Sequence, residues 1–149
     1  MKGLFFLLIL ICVSDEIKAQ SASDSIMAAV NSLFEGMKKA DTNLLKNCFS
    51  SDAIMQTIQD NKGIVKVSNE SVADFIALVG KEKAGAADEQ IMFETIKING
   101  SLATVWAPYN FYYKGKFSHC GVNSFQLVRL NAGWKIQYII DTRKKEGCL

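Results

Sequence analysis

Three turn signals cut the second half of the chain into long strand-like runs, and this constrains the fold more than any other feature. Asn99-Gly100 is the strongest short hairpin signal, because both residues tolerate the positive φ of a tight turn. Lys114-Gly115 and Asn131-Ala132-Gly133 repeat the pattern. The strands expected around them are 90–98, 101–113, 116–130 and 134–142. Strands joined by turns this short pair antiparallel, so a meander of four strands follows. Pro108 cannot donate to a ladder, so it marks an edge position or a bulge, and in a strongly curved sheet a bulge is the better expectation.

The first half reads differently. After Asp24, a plausible N-cap, Ile26, Val30, Leu33, Phe34 and Met37 recur at helical spacing, and Lys38 and Lys39 suit the C-terminal dipole. Asp41 starts a shorter helix carrying Leu44, Leu45, Cys48 and Phe49. A strand at 53–59, a turn at 60–63 and a return strand at 64–67 follow. Ser68 is expected to cap a third helix with Val72, Phe75, Ile76 and Val79, ended by Gly80, and 81–87 reads as a loop. Helices followed by a long antiparallel sheet make an α+β fold, and a curved sheet of this kind can enclose a space beside a helix.

The N-terminus reads as an export leader. Lys2 precedes an apolar run, 4–13, that is too short to span a bilayer but suits a signal-peptide core. Cleavage after Ala19 divides the chain into a leader, 1–19, and one domain, 20–149, expected to be periplasmic or secreted with no stable membrane anchor. Cys12 follows Ile11, where lipoprotein processing needs a small residue. Cys48, Cys120 and Cys148 remain, an odd number that leaves at least one free thiol or an intermolecular bond. Cys120 and Cys148 could pair, with Cys48 a core residue.

Net charge is +2, and the only basic cluster is Arg143-Lys144-Lys145 near the end. That is no nucleic-acid footprint, which needs a concentrated basic face. The sequence has no Walker loop, dinucleotide fingerprint, G-x-S-x-G elbow, H-E-x-x-H or CxxC motif, and its one histidine makes a zinc site unfavourable. No metal and no cofactor are expected.

Pairing across Lys114-Gly115 without a bulge sets Trp106 opposite Asn123, Thr104 opposite Phe125 and Asn110 opposite His119. The pocket face then carries Leu102, Trp106, Tyr112, Phe117, Phe125 and Leu127, with His119 and Asn123 among them. Phe93 and Thr95 extend it. An apolar, aromatic surface with few polar groups is the usual make-up of a small-molecule site. The back would carry Ala103, Val105, Ala107, Val122 and Val128 beside Ile96 and Ile98, and a homodimer interface is expected there. The swap, with helices over Ala103 to Ala107 and the other face exposed, also satisfies the periodicity. For the last strand, one register puts Asp141 inside. The other, favoured for its better core, puts Trp134, Ile136, Tyr138 and Ile140 there and Asp141 at the rim.

The element order, with Trp106-Ala107-Pro108-Tyr109, His119-Cys120-Gly121, Phe125-Gln126-Leu127-Val128-Arg129, Gly133-Trp134-Lys135-Ile136 and Asp141-Thr142-Arg143, resembles the SnoaL-like, nuclear transport factor 2-like superfamily. Small exported bacterial members, related to a lumazine-binding group, are the nearest likeness. The resemblance implies a cone-shaped, cystatin-like domain, commonly dimeric, with a pocket between the concave sheet and the helices. It also implies several chemistries, from cyclases, isomerases and epoxide hydrolases to plain binding. The helix expected at 26–37 lacks the tyrosine that steroid isomerases use, and no Asp-Arg-Asp set of an epoxide hydrolase assembles on one face.

Three functions are therefore expected in order. The first is binding of a small, partly apolar molecule through Trp106, Tyr112, Asn123, Phe125, Phe93 and Tyr138. The second is cofactor-independent isomerase, cyclase or hydrolase chemistry with His119 as base, assisted by Asp141 or Tyr109. The third is an envelope interaction module using the apolar sheet back. A buried acid in reach of His119 would favour the second, and a pocket filled by its own side chains the third.

Overall fold

The computed structural model describes residues 22–148, so the expected leader and its cleavage point lie outside the described residues. Helix α1 (Ala22–Lys39) buries the stripe read from its spacing, Ile26, Val30, Leu33, Phe34 and Met37; Asp24 sits within its first turn rather than capping it. Asp41 caps α2 (Thr42–Cys48), accepting from the amides of Asn43 and Leu44. Strands β1 (Phe49–Asn61) and β2 (Ile64–Glu70) form a hairpin longer than the sequence pattern indicates.

Helix α3 (Val72–Val79) starts later than expected, capped by Ser71 instead of Ser68. Ser68, Asn69 and Glu70 pair with Thr57, Gln56 and Met55 on β1, and the Gln56 amide donates to Asn69 Oδ1 over 2.8 Å. The ladder thus claims the residues that a cap at Ser68 would have released.

The expected strand 90–98 is two strands, β3 (Ala87–Ile91) and β4 (Thr95–Asn99), both paired with β5 (Leu102–Tyr113). They part at 92–94, beside Pro108, whose carbonyl accepts from the Met92 amide over 2.9 Å. A residue in a strand turns its N–H and C=O to the same side, so the donor Pro108 lacks is missing on that side. The ladder breaks in the neighbour, and Pro108 itself stays in register with Val122 rather than forming a bulge.

Strands β6 (Lys116–Leu130) and β7 (Gly133–Arg143) complete a seven-stranded sheet in the order β2-β1-β7-β6-β5-β3, with β4 also on β5. The meander is antiparallel as expected, while β1 joins β7 in parallel, so the sheet is mixed and unclosed. Its concave face packs on the helices.

Two register shifts decide which side chains face inward. On β6, Tyr112 opposes Phe117 but Phe111 opposes His119, which leaves Ser118 as an extra residue. A one-residue shift exchanges strand faces. Trp106 therefore opposes Ser124, not Asn123, and the expected face of β5 is reversed while that of β6 stands. Ala103, Val105 and Ala107 are buried against the helices, and Trp106 is 46% exposed on the outer face with Leu102 and Phe117. On β7, Leu127 opposes Ile136 and Gln126 opposes Tyr138, with Gln137 as the extra residue. Trp134 and Ile136 before it, and Ile139 and Asp141 after it, are all buried. Each of the two expected registers holds on one side of Gln137.

The concave face is built in rows that set small side chains beside large ones. Ala103, Leu127 and Ile136 form one row; Val105, Phe125 and Ile139 the next. The Phe34 ring meets Phe125 edge-on, with centroids 6.1 Å apart. This end of the cone is filled core. The following row, Ala107, Asn123, Asp141 and Thr57, is polar, and there the packing gives way to a cavity.

Candidate functional site

The cavity has a volume of about 380 Å³. One side is apolar: Leu33, Phe34 and Met37 from α1, Phe75, Leu78 and Val79 from α3, and Met55 and Ile139 from the sheet. The other side gathers Tyr109, His119, Asn123, Asp141, Arg143, Thr57 and Glu89. The volume and the few converging polar groups are those of a small-molecule site.

Asp141 is the most heavily bonded of these groups. Its Oδ1 accepts from Thr57 Oγ1 over 2.6 Å, and its Oδ2 accepts from Tyr109 Oη over 3.0 Å and from Arg143 Nε over 2.9 Å. A buried carboxylate holding a cation and two hydroxyls is satisfied in place. Tyr109 Oη also lies 3.0 Å from the Thr142 carbonyl, so its single proton has two acceptors. Burial and the charges of Asp141 and Glu89 raise the Tyr109 phenol far above its ordinary value, and it stays protonated as a donor.

Gly121 makes this arrangement possible. A Cβ there would lie 1.7 Å from the Thr142 carbonyl oxygen. The bare backbone lets the end of β7 fold over β6 toward Tyr109, which stands directly opposite Gly121.

His119 lies between Tyr109 and Phe111, with ring centroids 5.7 and 5.0 Å away. Its Nδ1 is 3.1 Å from Ser118 Oγ. Burial, and then the Arg143 charge, lower its pKa, so the imidazole is neutral at pH 7. The hydrogen bonds of the described residues join no carboxylate to it.

Glu89 was not among the expected site residues. It lies on β3, which brings it opposite Phe111 and within reach of Asn123, whose Nδ2 donates to Glu89 Oε1 over 2.7 Å. Burial pushes its carboxyl up to about 7, and the Asp141 charge adds to this. The sequence signal is an acid sharing a strand face with Ala87 and Ile91, and an expected strand start at residue 90 hides it.

Of the expected site residues, Tyr109, His119, Asn123 and Asp141 line one cavity. Phe125 is in the filled core beneath it, and Phe93 packs on that core without lining the cavity. Trp106, Tyr112 and Tyr138 are corrected to the outer side. The extra residue at Ser118 turns Trp106 and Tyr112 outward, where Tyr112 packs on Phe117. The extra residue at Gln137 does the same to Tyr138, which donates to Gln56 Oε1. Ala103, Val105 and Ala107, expected on an outer dimer face, are instead beneath the helices. A disulfide joins Cys120 to Cys148, and Cys48 is a buried free thiol. Among the described residues, no group of three or more His, Cys, Asp or Glu is placed to hold a metal ion.

No match is found among curated proteins. Solved structures with this fold are numerous. A nuclear transport factor 2-like protein of unknown function from Shewanella baltica aligns with a TM-score of 0.64 at 18% identity, covering 83% of this chain and 94% of that one. A protein of unknown function with a cystatin-like fold from Nostoc punctiforme gives 0.65 at 15% identity, over 85% and 95%. A nuclear transport factor 2-like protein from Methylobacillus flagellatus gives 0.60 at 15%, over 86% and 97%. At these identities the likeness shows the fold. The family model described as "Putative lumazine-binding" matches residues 21–137. With that match spanning most of its length, this chain belongs to that family, and its helices and curved sheet have the fold of these nuclear transport factor 2-like and cystatin-like structures.

Proposed function

We propose that the chain binds a small, largely apolar molecule in the cavity between α1, α3 and the concave sheet. The observation that carries this reading is the change from filled core to open space at the row of Thr57, Asp141 and Asn123. Apolar walls supply the affinity and the polar end fixes orientation. The family membership supports small-ligand binding. We further propose that the protein is exported to the periplasm or beyond, on the apolar leader, and works as a homodimer. The outer face with Trp106, Leu102 and Phe117 is its candidate interface. Native mass spectrometry of the mature protein from its own host tests all three. A dimer starting near Gln20 with a retained small molecule is expected. A bare, uncleaved monomer would contradict them.

A second reading is cofactor-independent acid–base catalysis. Glu89 favours it, being a carboxyl with a pKa of about 7 on the cavity wall. In that reading Glu89, rather than His119, exchanges the proton. Proton exchange at an acidic C–H of a bound molecule, lost in Glu89→Gln, would distinguish it from binding alone.

A further inference from the structure

We propose that the cavity selects a cationic amphiphile, an amine whose ammonium group docks on Glu89 and whose hydrocarbon body lies on the α1 and α3 wall. This rests on the reading of the cavity as a ligand site and specifies its ligand class.

The charges of the lining do not balance. Among the described residues, its carboxylates are Glu70, Glu82, Glu89 and Asp141, and its only Lys or Arg is Arg143. Arg143 is already divided between Asp141, at 2.9 Å, and Glu70, at 3.8 Å. Glu82 accepts from Tyr113 Oη over 2.8 Å and has Lys114 at 3.9 Å. Glu89 has no such cation. Its one hydrogen-bond partner among the described residues is the neutral Asn123 amide, and none of the ion pairs includes it.

An ionised carboxylate withdrawn from water is costly without a counter-charge. A carboxylate ligand would add a second unpaired charge, and an alcohol would leave the first one unpaired. An ammonium group supplies what is missing and adds charge-assisted hydrogen bonds. Groups facing Glu89 act in both directions: Asp141 on β7 opposes its ionisation, while Arg143 on β7 and the Asn123 amide on β6 favour it. Tyr109 on β5 stays protonated, and His119 on β6 is neutral, so neither supplies a fixed positive charge.

Affinity for an amine therefore depends on pH. A cation binds ionised Glu89, so binding strengthens as pH rises through about 7. Below that, the ligand must first displace a proton.

The test is calorimetric titration of the mature protein with n-octylamine, n-octanol and n-octanoate, at about pH 8.5 and about pH 5.5. A charge-assisted hydrogen bond is worth about tenfold or more in affinity. Octylamine is expected to bind at least about tenfold tighter than octanol at the higher pH, with most of that advantage lost at the lower pH. In Glu89→Gln, which keeps an acceptor for Asn123, the advantage is expected to vanish while octanol binding persists. In Glu82→Gln, whose carboxylate has its own partners, the advantage should remain. Octanoate binding tightest, or an amine preference that survives Glu89→Gln or is lost equally in Glu82→Gln, would overturn the proposal. Equal binding of octanol and octylamine would sink the amine selectivity alone. If none of the probes bound, the ligand-site reading would fail with it.

Discussion

Replacing Glu89 by glutamine should make the protein more stable, and increasingly so as pH rises. Burial raises the Glu89 pKa from its ordinary 4.5 to about 7. The folded state therefore holds this proton more tightly than the unfolded chain does. Its contribution is fully present below the unfolded value, near 4.5, and is lost as pH rises through the folded value, near 7. Each unit of separation corresponds to about 1.4 kcal/mol, so the full penalty of keeping Glu89 charged is about 3 kcal/mol. About 2 to 3 kcal/mol of this develops between pH 5 and pH 8. Glutamine carries no charge, and its carbonyl can still accept from Asn123. Urea unfolding of wild type and Glu89→Gln across this range isolates the contribution, because every other titrating group is common to both. The stability gap should widen by about 2 to 3 kcal/mol in favour of the variant, seen as a rising difference in midpoint at constant slope. A gap that is flat with pH would refute a half-buried Glu89 without an ion-pair partner. So would a gap that widens in the opposite direction, since that marks a carboxylate stabilised by a cation. Such a cost, retained on a cavity wall, is the pattern of a group kept for function rather than for folding.

Gly121→Ala should cost about 2 to 3 kcal/mol, because its Cβ would meet the Thr142 backbone at 1.7 Å and neither strand can yield freely; thermal melts measure it. Trp106 is 46% exposed and Trp134 only 8%, so acrylamide should quench one fluorescent population readily, and Trp106→Phe should remove that population. If both tryptophans proved shielded in a monomer, the register at Ser118 would be wrong. The Cys120–Cys148 bond closes a separation of 28 residues, and Cys148→Ser should cost about 3.5 kcal/mol in the loop-entropy account, read as a lower urea midpoint. Burial pushes the Cys48 thiol up to about 11, so it should resist thiol reagents until the chain is unfolded.

Much of this fold could be read directly along the chain. The stripe from Ile26 to Met37 could only be a helix with one buried face, and it is. Turn pairs such as Lys114-Gly115 carry the positive φ values, 51° and 75°, that a two-residue hairpin requires. Composition and absent motifs narrowed the chemistry without naming it. These properties are local: propensity, period and turn geometry are written within a few residues of where they act. The alternation along β5 and β7 was legible too, but not which side of each faced inward. That depended on the extra residues Ser118 and Gln137, which no propensity marks, and each reversed a face beyond it. The site depended on still longer reach. Glu89 meets Asn123 across 34 positions and Thr57 meets Asp141 across 84, pairs that exist only because β1 joins β7 in parallel and β3 folds against β5. A carboxyl acquires its altered pKa from what surrounds it, and the surroundings of Glu89 come from strands and helices distributed over the whole domain.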